Sequence, residues 1–208
     1  MVAGAGFFPI FNRNKKSLAV DQKGASGREI VLRLIDTADV VTENFRPGAL
    51  DKIGFGYGQL SQRNPRLVYC TLKGFLSGPY EQRPALDEVV QMMGGLAYMT
   101  GLPERPLRVG SSVNDIMGGM FGAIGILAAL REREATGRGK LVRSALFENT
   151  VFLVAQHMAQ LAITGEEPPP MAVKQPAWGI YDIFETADDR LFVGVVTDTQ
   201  WEVFCREF

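Results

Sequence analysis

Between Ile116 and Leu130 almost every residue is apolar or glycine, and the small residues Gly118, Gly122, Gly125 and Ala129 recur at helical spacing. At about 100° per residue they share one narrow face. The pattern predicts a helix over 115–134 that is buried almost all round and lets another backbone approach its glycines closely. A second long helix is predicted from Phe147, Val151, Val154, Ala155, Met158, Leu161 and Ala162, opened by Ser144 and ended by the Thr164–Pro170 stretch TGEEPPP. Upstream, Ser26-Gly-Arg-Glu29 reads as a capping box for a helix running to about Ala38. The β-branched cluster at 39–43 then predicts a short strand. Asn44 to Gly48 is a turn, with Pro47 suited to the first position of the next helix. A further short helix stops near Arg63, before Asn64-Pro65. A strand is expected over 66–72, a Gly- and Pro-marked loop over 74–84, and a helix over 87–98.

Strands alternating with helices argue for an α/β fold with a parallel sheet and binding loops at its strand ends. After the break at Thr136-Gly-Arg-Gly139 comes a basic strand over 140–143, and the pattern changes again near 165. There, 178–184 and 190–196 flank Thr186-Ala-Asp-Asp189 as a hairpin. The expected domains are 1–143, a connecting helix at 144–165, and a second domain beginning at 166–208.

Composition narrows the classes. The 208 residues are 46% hydrophobic and 22% charged, the balance of a globular chain. The 22 basic and 23 acidic residues nearly cancel, giving no reason to expect nucleic acid or a membrane surface as partner. Met1 to Phe11 lacks the basic region of a signal peptide, and no uninterrupted apolar run reaches the roughly 18 residues of a membrane span. Cys70 and Cys205 have no metal spacing, so a reduced, cytoplasmic chain is expected. The opening residues carry no cap or strand logic, and the last eight stop inside an amphipathic pattern, so the reading expects a piece of something longer.

Few groups could carry chemistry. Asp115 opens the glycine-rich helix and is either a cap, the commoner role for such a residue, or a reactive carboxylate at the edge of a dry core. Ser111, Ser112 and Asn114 could cap equally well. His157 is the one histidine, on the flank of an apolar stripe, and reads as structural. Asp87 and Glu88 read as first-turn acids of their own helix. Arg13, Lys15, Lys16 and Arg28 read as solvated charge, and Gly54-Phe-Gly-Tyr-Gly58 as a turn between helices rather than a phosphate loop.

Several motifs in order resemble the class III CoA-transferase family, which includes formyl-CoA transferase, the carnitine CoA-transferases and α-methylacyl-CoA racemase. They are the 12–21 stretch NRNKKSLAVD, the 38–48 stretch ADVVTENFRPG, Asn64-Pro-Arg-Leu-Val-Tyr69, Gly74-Phe with Ser77-Gly-Pro-Tyr80, Gln91-Met-Met-Gly-Gly95, Gly125-Ile-Leu-Ala-Ala-Leu130 and Thr136-Gly-Arg-Gly-Lys140. The resemblance implies a Rossmann-like large domain, a connecting helix and the beginning of a smaller α+β domain. It makes Asp115 the nucleophile of a CoA transfer between carboxylic acids, through an aspartyl anhydride and an aspartyl-CoA thioester. Its helix amides would steady the oxyanions.

The resemblance also places CoA contacts at Val20, Asp21 and Lys23, at Asn44, Phe45 and Ala49, and at Lys52 and Ile53. It implies no resident cofactor or metal, an acyl-CoA thioester and an acceptor acid as partners, and an interlocked homodimer. The family's N-terminal segment and most of its smaller domain are expected to be absent. The glycine-rich loop of formyl-CoA transferase is not evident in the 172–178 stretch AVKQPAW. Leu86 stands where the racemase branch has a proton-moving histidine, which favours transfer over racemisation. A remnant that only associates with a longer partner remains the rival from another class.

Overall fold

Parallel strands need a crossover between them, and the first two strands here obtain it from two short helices. A computed structural model describes residues 6–174 and 176–208. The readings of Met1–Ala5, and of Gln175 within the 172–178 loop, lie outside the described residues. The chain packs as two compact units, one from the residues up to Lys73 with Gly119–Ser144, the other from Gly74–Gly118 with Ala145–Phe208.

In the first unit, α1 (Phe7–Phe11) and α2 (Ala25–Thr37) precede β1 (Val40–Glu43); α3 (Ala49–Lys52) and α4 (Tyr57–Arg63) lead to β2 (Val68–Lys73). The sheet order is β1-β2-β3, the third strand being Leu141–Ala145. β1 and β2 run parallel, with Val40 opposite Val68 and Glu43 opposite Thr71. The first four residues of β2 are buried, as a strand covered on both faces requires. Ile35, Phe55, Leu60, Leu67 and Tyr69 form the core beneath it. The Tyr69 hydroxyl donates to the Phe55 carbonyl at 3.1 Å, so its one polar atom is satisfied in a dry site.

The second unit holds α5 (Asp87–Met93), α6 (Leu96–Thr100), the start of α7 (Val113–Thr136) and α8 (Leu146–Thr164). It also holds a hairpin of β4 (Ile180–Glu185) and β5 (Arg190–Val195), and finally α9 (Asp198–Glu207). Gly165 ends α8 in the left-handed conformation (φ 74°), the stop that glycine permits. Thr197 caps α9 by accepting the Gln200 amide at 3.2 Å.

Five expectations need correction. α2 begins at Ala25 without a side-chain cap, so Ser26 lies inside the helix rather than before it. The Asp21 loop folds over that first turn, and a Cβ on Gly27 would sit 2.0 Å from the Asp21 carbonyl oxygen. Pro47 does not open α3: the Ala49 amide bonds to the Arg46 carbonyl at 3.0 Å across Pro47 and a left-handed Gly48 (φ 72°). That arrangement suits a type II turn, and the helix starts at Ala49, two residues after Pro47. The helix expected over 87–98 is two helices, broken at Gly94-Gly95, where Gly95 takes φ 85°. A Cβ on Gly94 would lie 2.4 Å from Thr150 Cγ2, so the break lets α5 pack tightly on α8. Ser144 belongs to β3, and α8 opens two residues later after an uncapped Ala145.

The fifth correction concerns α7. Its small-residue face does meet close neighbours: a Cβ on Gly122 would lie 3.3 Å from Cys70 Sγ, and one on Gly125 2.6 Å from Val142 Cγ1. The opposite face is not buried, with Met120, Ile124 and Leu127 about 60% exposed. By length and composition alone α7 is also apolar enough to cross a membrane, a test that core helices pass as well.

Candidate active site

α7 starts at Val113, so Asp115 lies within its first turn and is not its cap. The capping group comes from another helix. The Asp87 carboxylate, at the start of α5, accepts the Asn114 amide at 2.7 Å and the Asp115 amide at 3.2 Å through Oδ2. Its Oδ1 accepts from Gln91 Nε2, and Gln91 Oε1 accepts the Val109 amide at 2.8 Å. Asp87 and Gln91 are 3% and 0% exposed, so these bonds form where water cannot replace them.

This geometry changes two earlier readings. Asp87 is more than a first-turn acid of α5; it is a buried acceptor serving the helix that carries Asp115. The first-turn amides of α7 are not free to meet an oxyanion either. Those of Asn114 and Asp115 go to Asp87, Val113 bonds to the Ser111 carbonyl, and Ile116 bonds to the Ser112 carbonyl. The Asp115 side chain itself reaches solvent. Partial burial, and after it the nearby Asp87 charge, hold its carboxyl above the ordinary carboxylate pKa.

The CoA residues implied by resemblance lie in the first unit, in two segments. In one, Val20 is half-buried while Asp21 and Lys23 are exposed. Asp21 Oδ1 accepts the Lys23 amide at 3.0 Å and the Asp21 carbonyl accepts the Gly24 amide at 3.1 Å, which fixes the turn into α2. In the other, Asn44 and Phe45 are exposed directly after β1, and Lys52 is exposed, with Ala49 and Ile53 half-buried. The two segments are tied by Arg28 of α2, which donates to the Ile53 carbonyl and lies 5.0 Å over the Phe55 ring. Arg28 is therefore a half-buried strut rather than freely solvated charge.

A buried ion pair missed in the sequence holds the Asn44-Phe45 turn. Glu43 is 9% exposed; its carboxylate accepts the Phe45 amide at 2.9 Å and pairs with Lys73 Nζ at 2.7 Å. The Lys73 ammonium also donates to the Phe45 carbonyl at 2.5 Å, so both polar backbone groups of Phe45 are engaged. A Glu at the end of a β-branched strand, directly before an Asn-Phe turn, was the available signal.

His157 is half-buried, as expected, and its pKa is lowered by burial and then by Lys174. Burial, and then Glu43, push the Cys70 thiol up and keep it inert. Among the described residues no cluster of His, Cys, Asp and Glu is arranged to hold a metal. Leu86 precedes α5 as an extended residue, 69% exposed, and offers no proton.

The second unit presents a solvent-facing carboxylate on a clamped helix start, and the first unit, by itself, a parallel α/β sheet with an exposed turn after its first strand, the position where such sheets bind ligands. The chain belongs to CoA-transferase family III, whose model matches residues 2–208. It is 35% identical over 202 residues to the acetyl-CoA:oxalate CoA-transferase of Acetobacter aceti, covering 96% of this chain and 52% of that protein. It is equally similar, 35% over 210 residues, to the succinyl-CoA:mesaconate CoA-transferase of Haloarcula hispanica, covering 98% of this chain and 53% of that one. Among solved structures, a CaiB/BaiF family protein from Brucella suis superposes with a TM-score of 0.84 at 34% identity, over 93% of this chain and 52% of that one. The chain spans about half the length of these relatives.

Proposed function

We propose that the protein is a CoA-transferase that moves CoA from an acyl-CoA to a second carboxylic acid, with Asp115 as covalent nucleophile. The observation that carries this reading is Asp115 itself: exposed, in the first turn of α7, with its own amide fixed by Asp87. The family supports the reaction class.

An Asp115 oxygen attacks the thioester carbonyl, the C–S bond breaks, and a mixed anhydride and a CoA thiolate result. The thiolate attacks the aspartyl carbonyl, releasing the donor acid and leaving an aspartyl-CoA thioester. The acceptor carboxylate then attacks that carbonyl and expels the thiolate, forming a second anhydride. Attack of the thiolate on its acyl carbon gives the new acyl-CoA and restores Asp115. No general base is needed, because an ionised carboxylate is already a nucleophile and has no proton to give up. Such chemistry is compatible with a chain whose one histidine is a half-buried residue of α8.

CoA is held in this reading by Val20, Asp21 and Lys23 and by Asn44, Phe45, Ala49, Lys52 and Ile53. Glu43 and Lys73 set the angle of the Asn44-Phe45 turn. An interlocked homodimer in a reducing, cytoplasmic setting completes it, and Cys70 and Cys205, both free, fit that setting. Racemisation is disfavoured by Leu86. Turnover of Asp115→Asn and Asp115→Ala, assayed with an acyl-CoA and a second acid, tests the proposal. Both are expected to lose at least about 10³-fold in kcat. An Asp115→Asn protein with near-normal turnover would reduce Asp115 to a structural role.

A further inference from the structure

The Asp87–Gln91 pair joins three backbone amides that no local secondary structure satisfies: those of Val109, Asn114 and Asp115. Two of them bracket the approach to α7 and one belongs to the candidate nucleophile. We propose that Asp87 and Gln91 form a positioning clamp for Asp115, fixing where the nucleophilic carboxylate stands by holding the backbone on both sides of the 109–115 turn. This inference rests on Asp115 being the nucleophile.

The chemistry of the clamp sets its own test. Asp87 uses one oxygen for the α7 amides and the other for the Gln91 amide nitrogen, so it must accept twice. Gln91 must donate to Asp87 and accept from Val109. In Asp87→Asn one acceptor becomes a donor, and Gln91 must turn over to meet it. Its amide nitrogen then faces the Val109 amide, and one link fails whichever way Gln91 is set. Adding Gln91→Glu restores every link: the introduced carboxylate accepts from both neighbours. The negative charge then sits one link further from the α7 amides. Restored hydrogen bonds would rescue a merely structural role too, so positioning is read from the KM-against-kcat split, the trapping rate and the acid limb of the pH profile.

The clamp also touches the chemistry through Asp115, whose pKa is raised by partial burial and then by Asp87. Neutralising Asp87 therefore moves the acid limb of the rate profile to lower pH.

The experiment measures kcat, KM for acyl-CoA, the pH profile, and the rate of hydroxylamine trapping at Asp115 in the whole protein. Asp87→Asn is expected to lower kcat and the trapping rate about 10–100-fold, the cost of a small misplacement of a reacting group, with KM changed by less than about twofold. Its acid limb moves down in pH. The double variant Asp87→Asn/Gln91→Glu is expected to recover kcat to within about threefold of the parent. A folded double variant as slow as the single one overturns the clamp, as does an Asp87→Asn protein that is trapped at the parent's rate. If Asp87→Asn does not fold, Gln91→Met decides, since it keeps the volume and removes only the two links of Gln91. A loss of about threefold or more in kcat supports the clamp, and an unchanged kcat overturns it. Failure of the nucleophile assignment looks different: the parent protein itself then yields no adduct on Asp115.

Discussion

Two buried carboxylates each hold a turn that carries functional candidates, and they do so under opposite electrostatic conditions. Glu43 fixes the Phe45 amide with the Lys73 ammonium against it at 2.7 Å. Asp87 fixes the Asn114 and Asp115 amides with a neutral glutamine as its side-chain partner. The paired charge is suited to a turn that must only keep its shape. The carboxylate without a cation acts on its neighbour as well, which is why Asp115 feels Asp87. Removing the cation from the first site should thus disturb stability most, and removing the charge from the second should disturb chemistry most.

The largest stability effect is expected from Lys73→Met, which leaves a buried carboxylate without its cation and costs about 3–5 kcal/mol. Urea denaturation should show this, and Lys73→Met/Glu43→Gln should regain part of it. A loss below about 1 kcal/mol would mean that the pair behaves like a surface ion pair.

Asp87→Asn should cost less, about 1.5–3 kcal/mol, because one link is lost and the others lose a charged acceptor, but no bare charge is left buried. Measured beside Lys73→Met, a larger loss at Asp87 would reverse the contrast between the two sites.

The smallest effect concerns Asp115→Asn. The folded pKa of Asp115 lies above its unfolded value, so folding favours the protonated form. Its contribution to stability is complete below the unfolded value near 3.8 and is lost as pH rises through the raised folded value. At neutral pH the charge opposes folding, so Asp115→Asn should be slightly more stable than the parent protein. That difference should vanish on acidification through the carboxylate range. Thermal melts at neutral and acid pH check the sign, and a less stable Asp115→Asn at neutral pH would contradict it.

Much of this organisation was legible along the chain. The Val68-Tyr-Cys segment of β2 shows as a strand because it is buried in the core, and β1 because Val40 and Val41 are β-branched and half-buried beside it. The glycine face of α7 was readable because close approach leaves only small residues at helical spacing. Legibility ended where partners are distant. Asp87 meets backbone 27 residues further on, and Glu43 meets a lysine 30 residues further on. No local pattern encodes either pairing, so Asp87 looked like an ordinary first-turn acid. The exposed apolar face of α7 was misread for a related reason: composition records that Met120, Ile124 and Leu127 are apolar, not whether this chain covers them. Asp115 became a nucleophile only through resemblance, since a carboxylate opening a helix is most often a cap. The structure then gave the cap to another residue.

The most direct measurement is the mass of the peptide containing Asp115 after incubation with acyl-CoA and hydroxylamine. The account predicts one modified peptide, with the added mass on Asp115, absent in Asp115→Asn. An unmodified Asp115 in a protein that turns over, or an adduct on Asp87 or Glu88 instead, would contradict it.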